Sequence, residues 1–221
     1  MLTAEDHVRV ADAIRAAEAR TDGEISAVIA PESDSYADVT LHWALLLALL
    51  PLAFFATFPG VLHWVATLID PWAGEPSLRL VATYLLLKTA ASFVIGWLIF
   101  RIPRVKLTLT PDATKERRVR RRAILLFQVG TERRTATRTG VLVYLSLAER
   151  RAEIVADESI QSKVGGEEWG DAMVALLDGV RAGRPGDGIA AAIGKIADVL
   201  AQHFPHTGTD PNELPDRLIQ L

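Results

Sequence analysis

"LHWALLLALLPLAFFATFPGVLHWVATLI", residues 41–69, runs for 29 positions without one Asp, Glu, Lys or Arg. A helix needs roughly 20 apolar residues to cross the hydrocarbon core of a bilayer, so one span fits inside this stretch. Pro59-Gly60 ends or kinks that helix, and His63, Trp64 and Trp72 beyond it mark a short interfacial piece. After the connector "DPWAGEPS" come 21 more residues, Leu80 to Phe100 ("LVATYLLLKTAASFVIGWLIF"), interrupted only by Lys88 and anchored by Tyr84 and Trp97 near the two ends. The two spans form a hairpin. Neither is a secretory signal, because forty mostly polar, acidic residues come first.

Composition agrees. The mean hydropathy of +0.21 is high for a chain with 23% charged residues, so apolar residues must be gathered in blocks. The net charge of −3 gives no field that would draw the protein to nucleic acid. Cysteine is absent, which excludes disulfides, thiol nucleophiles and thiolate metal sites.

Orientation follows from Lys and Arg near the span ends. The connector up to Arg79 holds one basic residue, whereas residues 101–122 hold nine. Such an excess stays on the cytoplasmic side, so the hairpin enters from the cytoplasm and returns to it, with both termini cytoplasmic. Within the basic run, Arg117, Arg118, Arg120, Arg121 and Arg122 are expected at the membrane surface. Contact with anionic head groups contributes about 1 kcal/mol per residue there. A solvated helix face is the plainer alternative. No aromatics interleave with the arginines to stack on bases, so a nucleic-acid partner is not expected.

The polar segments lie on both sides of the hairpin. Residues 3–20 read as a helix, with Thr3 and Asp6 at N-cap spacing and Val10, Ile14 and Ala17 at helical intervals. "EISAVIAP", 24–31, reads as a strand ended by Pro31. Thr110-Pro111 starts a helix that carries the basic run, buries Val119, Ala123, Leu126 and Phe127 and stops at Gly130. "TGVLVYLSL", 139–147, reads as a buried strand and "RRAEIVADE", 150–158, as a second strand joined to it by a tight turn. A helix with Trp169, Met173, Leu176 and Leu177 follows, then "GRPGDG" as a loop. A last helix spans 187–203, and a surface tail closes the chain.

One helix and one strand cannot bury themselves, and the pattern after the hairpin lacks an opening unit. The economical reading is one α/β domain, residues 1–39 and 104–206, interrupted by a hairpin at 40–103 and followed by a tail at 207–221. An even number of spans keeps both halves on one side of the membrane.

"TDGEISAVI", the helix ending "AILLFQVG", "TATRTGVLVYLSLAERRAEIVADESI", the lone Trp169, "IAAAIGKIADVLAQHFP" and the closing "NELPDRLI" together resemble the TPM-domain family, and specifically its bacterial membrane-protein branch, in which a transmembrane hairpin interrupts the domain. The resemblance covers nearly all of the polar chain and implies a single α/β/α sandwich. Its members are variously described as acid phosphatases, calcium binders and assembly factors. Lumenal members place an acidic "DNG"-like turn before the central strand, whereas the corresponding turn here is Arg138-Thr139-Gly140, without the acid or the amide.

Glu24 at the start of the first strand, and Asp157 and Glu158 at the end of the third, remain as a candidate polar site with Arg138 and Arg150. A hard cation such as Ca or Mg needs several oxygens converging at about 2.3–2.6 Å. Each residue also has a plain role: Asp157 and Glu158 as caps for the segment from Ser159, Glu24 and Arg150 as a surface ion pair. No cofactor is expected.

Lys88 is the one ionic group inside a span, where an ammonium costs about 2.5–3.5 kcal/mol to insert. Snorkelling is one way to offset that. Burial against the first span or a second copy of the chain, with carbonyls freed at Pro51 or Pro59 as acceptors, is the other. Three function classes follow: a non-catalytic partner-binding or assembly module anchored in the membrane, a divalent-cation-dependent phosphomonoester hydrolase, and a transport role centred on Lys88. Two spans are too few for a transport path without oligomers, and the binding module is favoured.

Overall fold

The computed structural model describes residues 2–69, 72, 77–130, 139–207 and 215–221, and the chain divides into two compact units, residues 1–34 with 112–221, and residues 35–111.

The first unit is a layered α/β domain. Helix α1 (Ala4–Glu18) opens on a capping box: the Asp6 backbone N–H donates to Thr3 Oγ1 at 3.2 Å and the Thr3 N–H to Asp6 Oδ2 at 2.8 Å. Strand β1 (Glu24–Ala30) follows. After the hairpin the domain resumes with α6 (Asp112–Gly130), β2 (Gly140–Ser146), β3 (Arg151–Ala156), the short α7 (Glu158–Gln161), α8 (Gly170–Arg181), α9 (Pro185–His203) and β4 (Leu218–Gln220), the labels α2 to α5 being kept for the hairpin unit. The sheet order is β3-β2-β1-β4, with β1 parallel to both β2 and β4 and β2 antiparallel to β3.

Every residue of β1 and β2 is buried, because helices cover both faces of these central strands. Ile25, Ala27, Ile29, Val141, Val143 and Leu145 face a core closed by α1, α8 and α9. Val28, Ala30, Leu142 and Tyr144 face the other way, onto Val119, Ala123 and Phe127 of α6. The arrangement is the expected α/β/α sandwich, with β1 supplied from before the hairpin and β2 from after it.

Two sequence expectations are corrected here. The C-terminal segment is not a surface tail throughout: Leu218 is buried, Leu218–Gln220 pair in parallel with Ala27–Ile29, and the Leu221 N–H donates to Ile29 O at 3.0 Å. "GRPGDG" is also more than a loop, since Pro185, Gly186, Asp187 and Gly188 form the first turn of α9. A Cβ on Gly188 would stand 2.6 Å from Leu176 O, and one on Gly179 would stand 2.3 Å from the Gly188 Cα. The glycines let the backbones of α8 and α9 touch, which no side chain would permit.

The second unit comprises α2 (Ala37–Thr57), α3 (Pro59–Ile69), α4 (Leu78–Phe100) and α5 (Pro103–Leu109), the last of which the sequence reading did not anticipate. Helices α2 and α4 have mean hydropathies of 2.1 and 1.6, and their lengths of 21 and 23 residues suffice to cross a membrane. A core helix of a soluble domain would be buried, whereas only 17% and 6% of these apolar stretches are covered by protein. The pair runs antiparallel and packs through small residues. Ala44, Ala48 and Gly96 are buried, and a Cβ on Gly96 would approach Leu47 Cδ2 to 2.9 Å and the Ala44 Cα to 3.3 Å. Thr40 Oγ1 donates to Phe100 O at 3.2 Å near one end, and Phe55 meets Tyr84 edge-on at 5.9 Å near the other. Lys106, one of the nine basic residues that follow the second span, is nearly buried: its Nζ donates to Ser35 O at 2.8 Å and lies 5.7 Å from the Tyr36 ring centroid, tying α5 to the start of α2.

Candidate functional site

The proposed polar residues are distributed along the sheet. Glu24 and Asp157 come together at one end, where Glu24 is in register with Gly140 on β1 and Asp157 lies across from Gly140 on the β3 side. They are 5% and 4% exposed. Asp157 occupies the N-cap position of α7, yet its side chain does not cap that helix; its Oδ2 accepts the Gly140 N–H at 2.8 Å, while the Asp157 N–H donates to Gly140 O at 3.0 Å. Its carboxylate is therefore a clasp on the first residue of β2. Glu158 is the exposed first residue of α7.

Arg150 is not part of this site. It sits in the turn before β3 with φ 52°, at the far end of the strand from Asp157, about 23 Å away at roughly 3.3 Å per residue. The expected Glu24–Arg150 surface pair is thus replaced by a buried glutamate and a distant turn arginine. Arg138 lies outside the described residues.

Two acids that the sequence reading did not single out complete this end of the sheet. Glu18, the last residue of α1, accepts the Ile25 N–H at 3.1 Å. Burial, followed by the nearby Glu24 and Asp216 charges and a hydrogen bond with Asp216, pushes its pKa up to about 8. Glu18 thus holds its proton more tightly than an ordinary carboxyl. The signal in the sequence was the density of acids around the first strand, Glu18, Asp22 and Glu24; the contribution of Asp216 needed β4.

Do these residues fit a divalent cation? Asp157 is committed to a backbone N–H. Among the described residues, no three His, Cys, Asp or Glu side chains are grouped as a metal site requires. Among the described residues the donor set does not fit a divalent cation.

The opposite end of β1 and β2 carries a second polar cluster. Glu149 is buried and accepts from the Ser33 N–H at 2.9 Å and from the Ser146 hydroxyl, while Ser33 Oγ and Tyr144 Oη share a hydrogen bond at 2.9 Å. Burial raises the Tyr144 phenol above its usual range. Arg118 closes the cluster on Asp34 at 2.9 Å. These contacts pin residues 33 and 34, where the chain leaves the domain, and serve a structural end.

Helix α6 is divided lengthwise. Val119, Ala123 and Phe127 are in the core. Of the arginines expected at a membrane surface, Arg118 is used by Asp34 and Arg122 is half-buried with its charge near Tyr144, whereas Arg117, Arg120 and Arg121 are exposed. Beyond them the same outward side turns apolar, with Ile124, Leu125 and Val129 exposed by 37%, 49% and 65%.

Lys88 stands on α4 at the rim of a groove of about 350 Å³ in the hairpin, lined from α2 by Leu47, Leu50, Pro51 and Phe54 and from α4 by Lys88 and Ser92. It is exposed and has no ion-pair partner among the described residues.

No family model matches the sequence, and no curated protein matches it. Among solved structures, the chain is similar to the NMR structure of the BA42 protein from the psychrophilic bacterium Bizionia argentinensis, with a TM-score of 0.57 and 19% identity over 100% of this chain and 96% of that one. A likeness at that identity establishes the shared fold.

Proposed function

We propose that this chain is a membrane-anchored TPM-domain protein that acts as a non-catalytic partner-binding or assembly module at the cytoplasmic face of a bacterial plasma membrane. Two kinds of observation support the reading: the apolar, largely uncovered helices α2 and α4, and the likeness of the fold to BA42. The observation that carries it is the outward side of α6. Monomeric domains seldom leave large aliphatic side chains grouped on a helix whose other face already fills the core, and such groups mark interaction sites. Ile124, Leu125 and Val129 form the group, and Arg117, Arg120 and Arg121 on the preceding turns supply charge that meets anionic head groups or an acidic partner surface.

A photo-crosslinking residue placed at Leu125 or Val129 of the full-length chain in its own membrane tests this. Val174 on α8, exposed by a similar amount at 59%, is the control. Discrete protein adducts from 125 and 129 that are absent from 174, and that vanish when Ile124→Glu is added beside the crosslinker, are expected. Equal adduct patterns from both faces, or lipid adducts alone, contradict the partner-binding reading.

A further inference from the structure

Lys88 lies ten residues after Leu78 and twelve before Phe100 in the 23-residue α4. At 1.5 Å per residue that is about 15 Å and about 18 Å from the two helix ends, so in a spanning hairpin the group is near mid-depth. A lysine stem covers less than half of either distance, so snorkelling alone leaves the ammonium in hydrocarbon. The hairpin does not offset the charge: residues 41–69 and 80–100 contain no Asp or Glu. The groove beside it is walled by Leu47, Leu50 and Phe54, and Pro51 deprives the Leu47 carbonyl of its helical N–H donor. Ser92, one turn from Lys88, adds a hydroxyl on the same side.

A second copy of this chain is a poor occupant for that groove. It has no acid in either span, and a two-fold contact through the groove would bring ammonium towards ammonium. We infer that the α2–α4 groove receives a transmembrane helix of another protein that carries a carboxylate at mid-depth, with Lys88 as the counter-ion. The apolar wall takes the helix by shape, and the cation selects it by charge, since a lone carboxylate in hydrocarbon is itself unstable unless paired. This surface is separate from the outward side of α6 and stands without it.

The test uses the full chain reconstituted in vesicles of zwitterionic phosphatidylcholine at pH 7.5, with a labelled polyleucine transmembrane peptide bearing one central Glu, and the same peptide with Leu there. Energy transfer is expected to show association of the Glu peptide at least about tenfold tighter than the Leu peptide. Lys88→Arg retains that preference and Lys88→Met abolishes it, while the Leu peptide binds all three proteins alike. Equal binding of the two peptides by the unaltered chain overturns the inference, and needs no variant to be read. Survival of the Glu preference in Lys88→Met overturns it as well, as does Lys88-dependent self-association of the chain with no peptide preference, which would seat a second copy in the groove.

Discussion

Glu18 illustrates how a single side chain links the fold to its conditions. Its pKa rises from 4.5 to about 8 on folding, so between those values the folded state binds a proton that the unfolded state has released. The stability it contributes is complete below about pH 4.5 and is lost as pH rises towards 8. Glu18→Gln keeps an acceptor for the Ile25 N–H and removes the titration. We expect this variant to flatten the decline in stability between pH 5 and 8 and to exceed the parent by about 1 kcal/mol at pH 8.5, allowing for the solvent that reaches the carboxyl. Chemical denaturation at several pH values checks it, and an unchanged slope would remove Glu18 as its source. At the other side of Gly140, Asp157 has a structural duty. Asp157→Ala leaves a buried N–H without its acceptor and should cost about 1–3 kcal/mol. Because no three acidic side chains among the described residues are grouped to hold a cation, no hydrolysis of a generic phosphomonoester is expected, with or without calcium or magnesium; turnover that disappears in Asp157→Asn would restore the hydrolase reading.

Among the elements, those with a strong period and a cap were legible in the sequence. Thr3 and Asp6 announced α1, and Val119, Ala123 and Phe127 announced the buried side of α6. Short elements were not. Residues 218–220 make a strand only because β1 offers an open edge, a fact of the tertiary structure, and α5 is a seven-residue helix held by Lys106 and Ser35. For the same reason half of the candidate site was hidden: Glu18 and Asp216 are at opposite ends of the chain and meet through β4. The α8–α9 contact gives a clean test of a misread stretch. Gly188→Ala forces a Cβ to within 2.6 Å of a carbonyl oxygen and should destabilise the domain by about 2 kcal/mol. Gly194 in the same helix has open space around it, so Gly194→Ala should stabilise by up to about 1 kcal/mol. Denaturant midpoints of the two variants moving in the same direction would refute the close-approach argument.

For the whole molecule, the central feature is that β1 and β2 pair across an insertion of 77 residues, 35–111. A chain in which those residues are replaced by a short flexible linker keeps the four-stranded sheet, and we expect it to fold in solution and unfold cooperatively. A fragment limited to residues 112–221 loses α1 and β1, leaves β2 without its parallel neighbour and β4 without any partner, and should melt well below it. Equal thermal stability of the two would show that the first 34 residues contribute nothing to the sheet. If α2 and α4 span a membrane, completion of one domain from both sides of the insertion puts both halves on the same face of it. The absence of cysteine lets single cysteines report this in intact cells. A cysteine at the exposed Ser77 should react with a membrane-impermeant thiol reagent, while one at the exposed Ser162 should react only after the membrane is opened. Protection of Ser77 together with labelling of Ser162 would contradict the orientation, and labelling of both in intact cells would contradict the membrane hairpin itself.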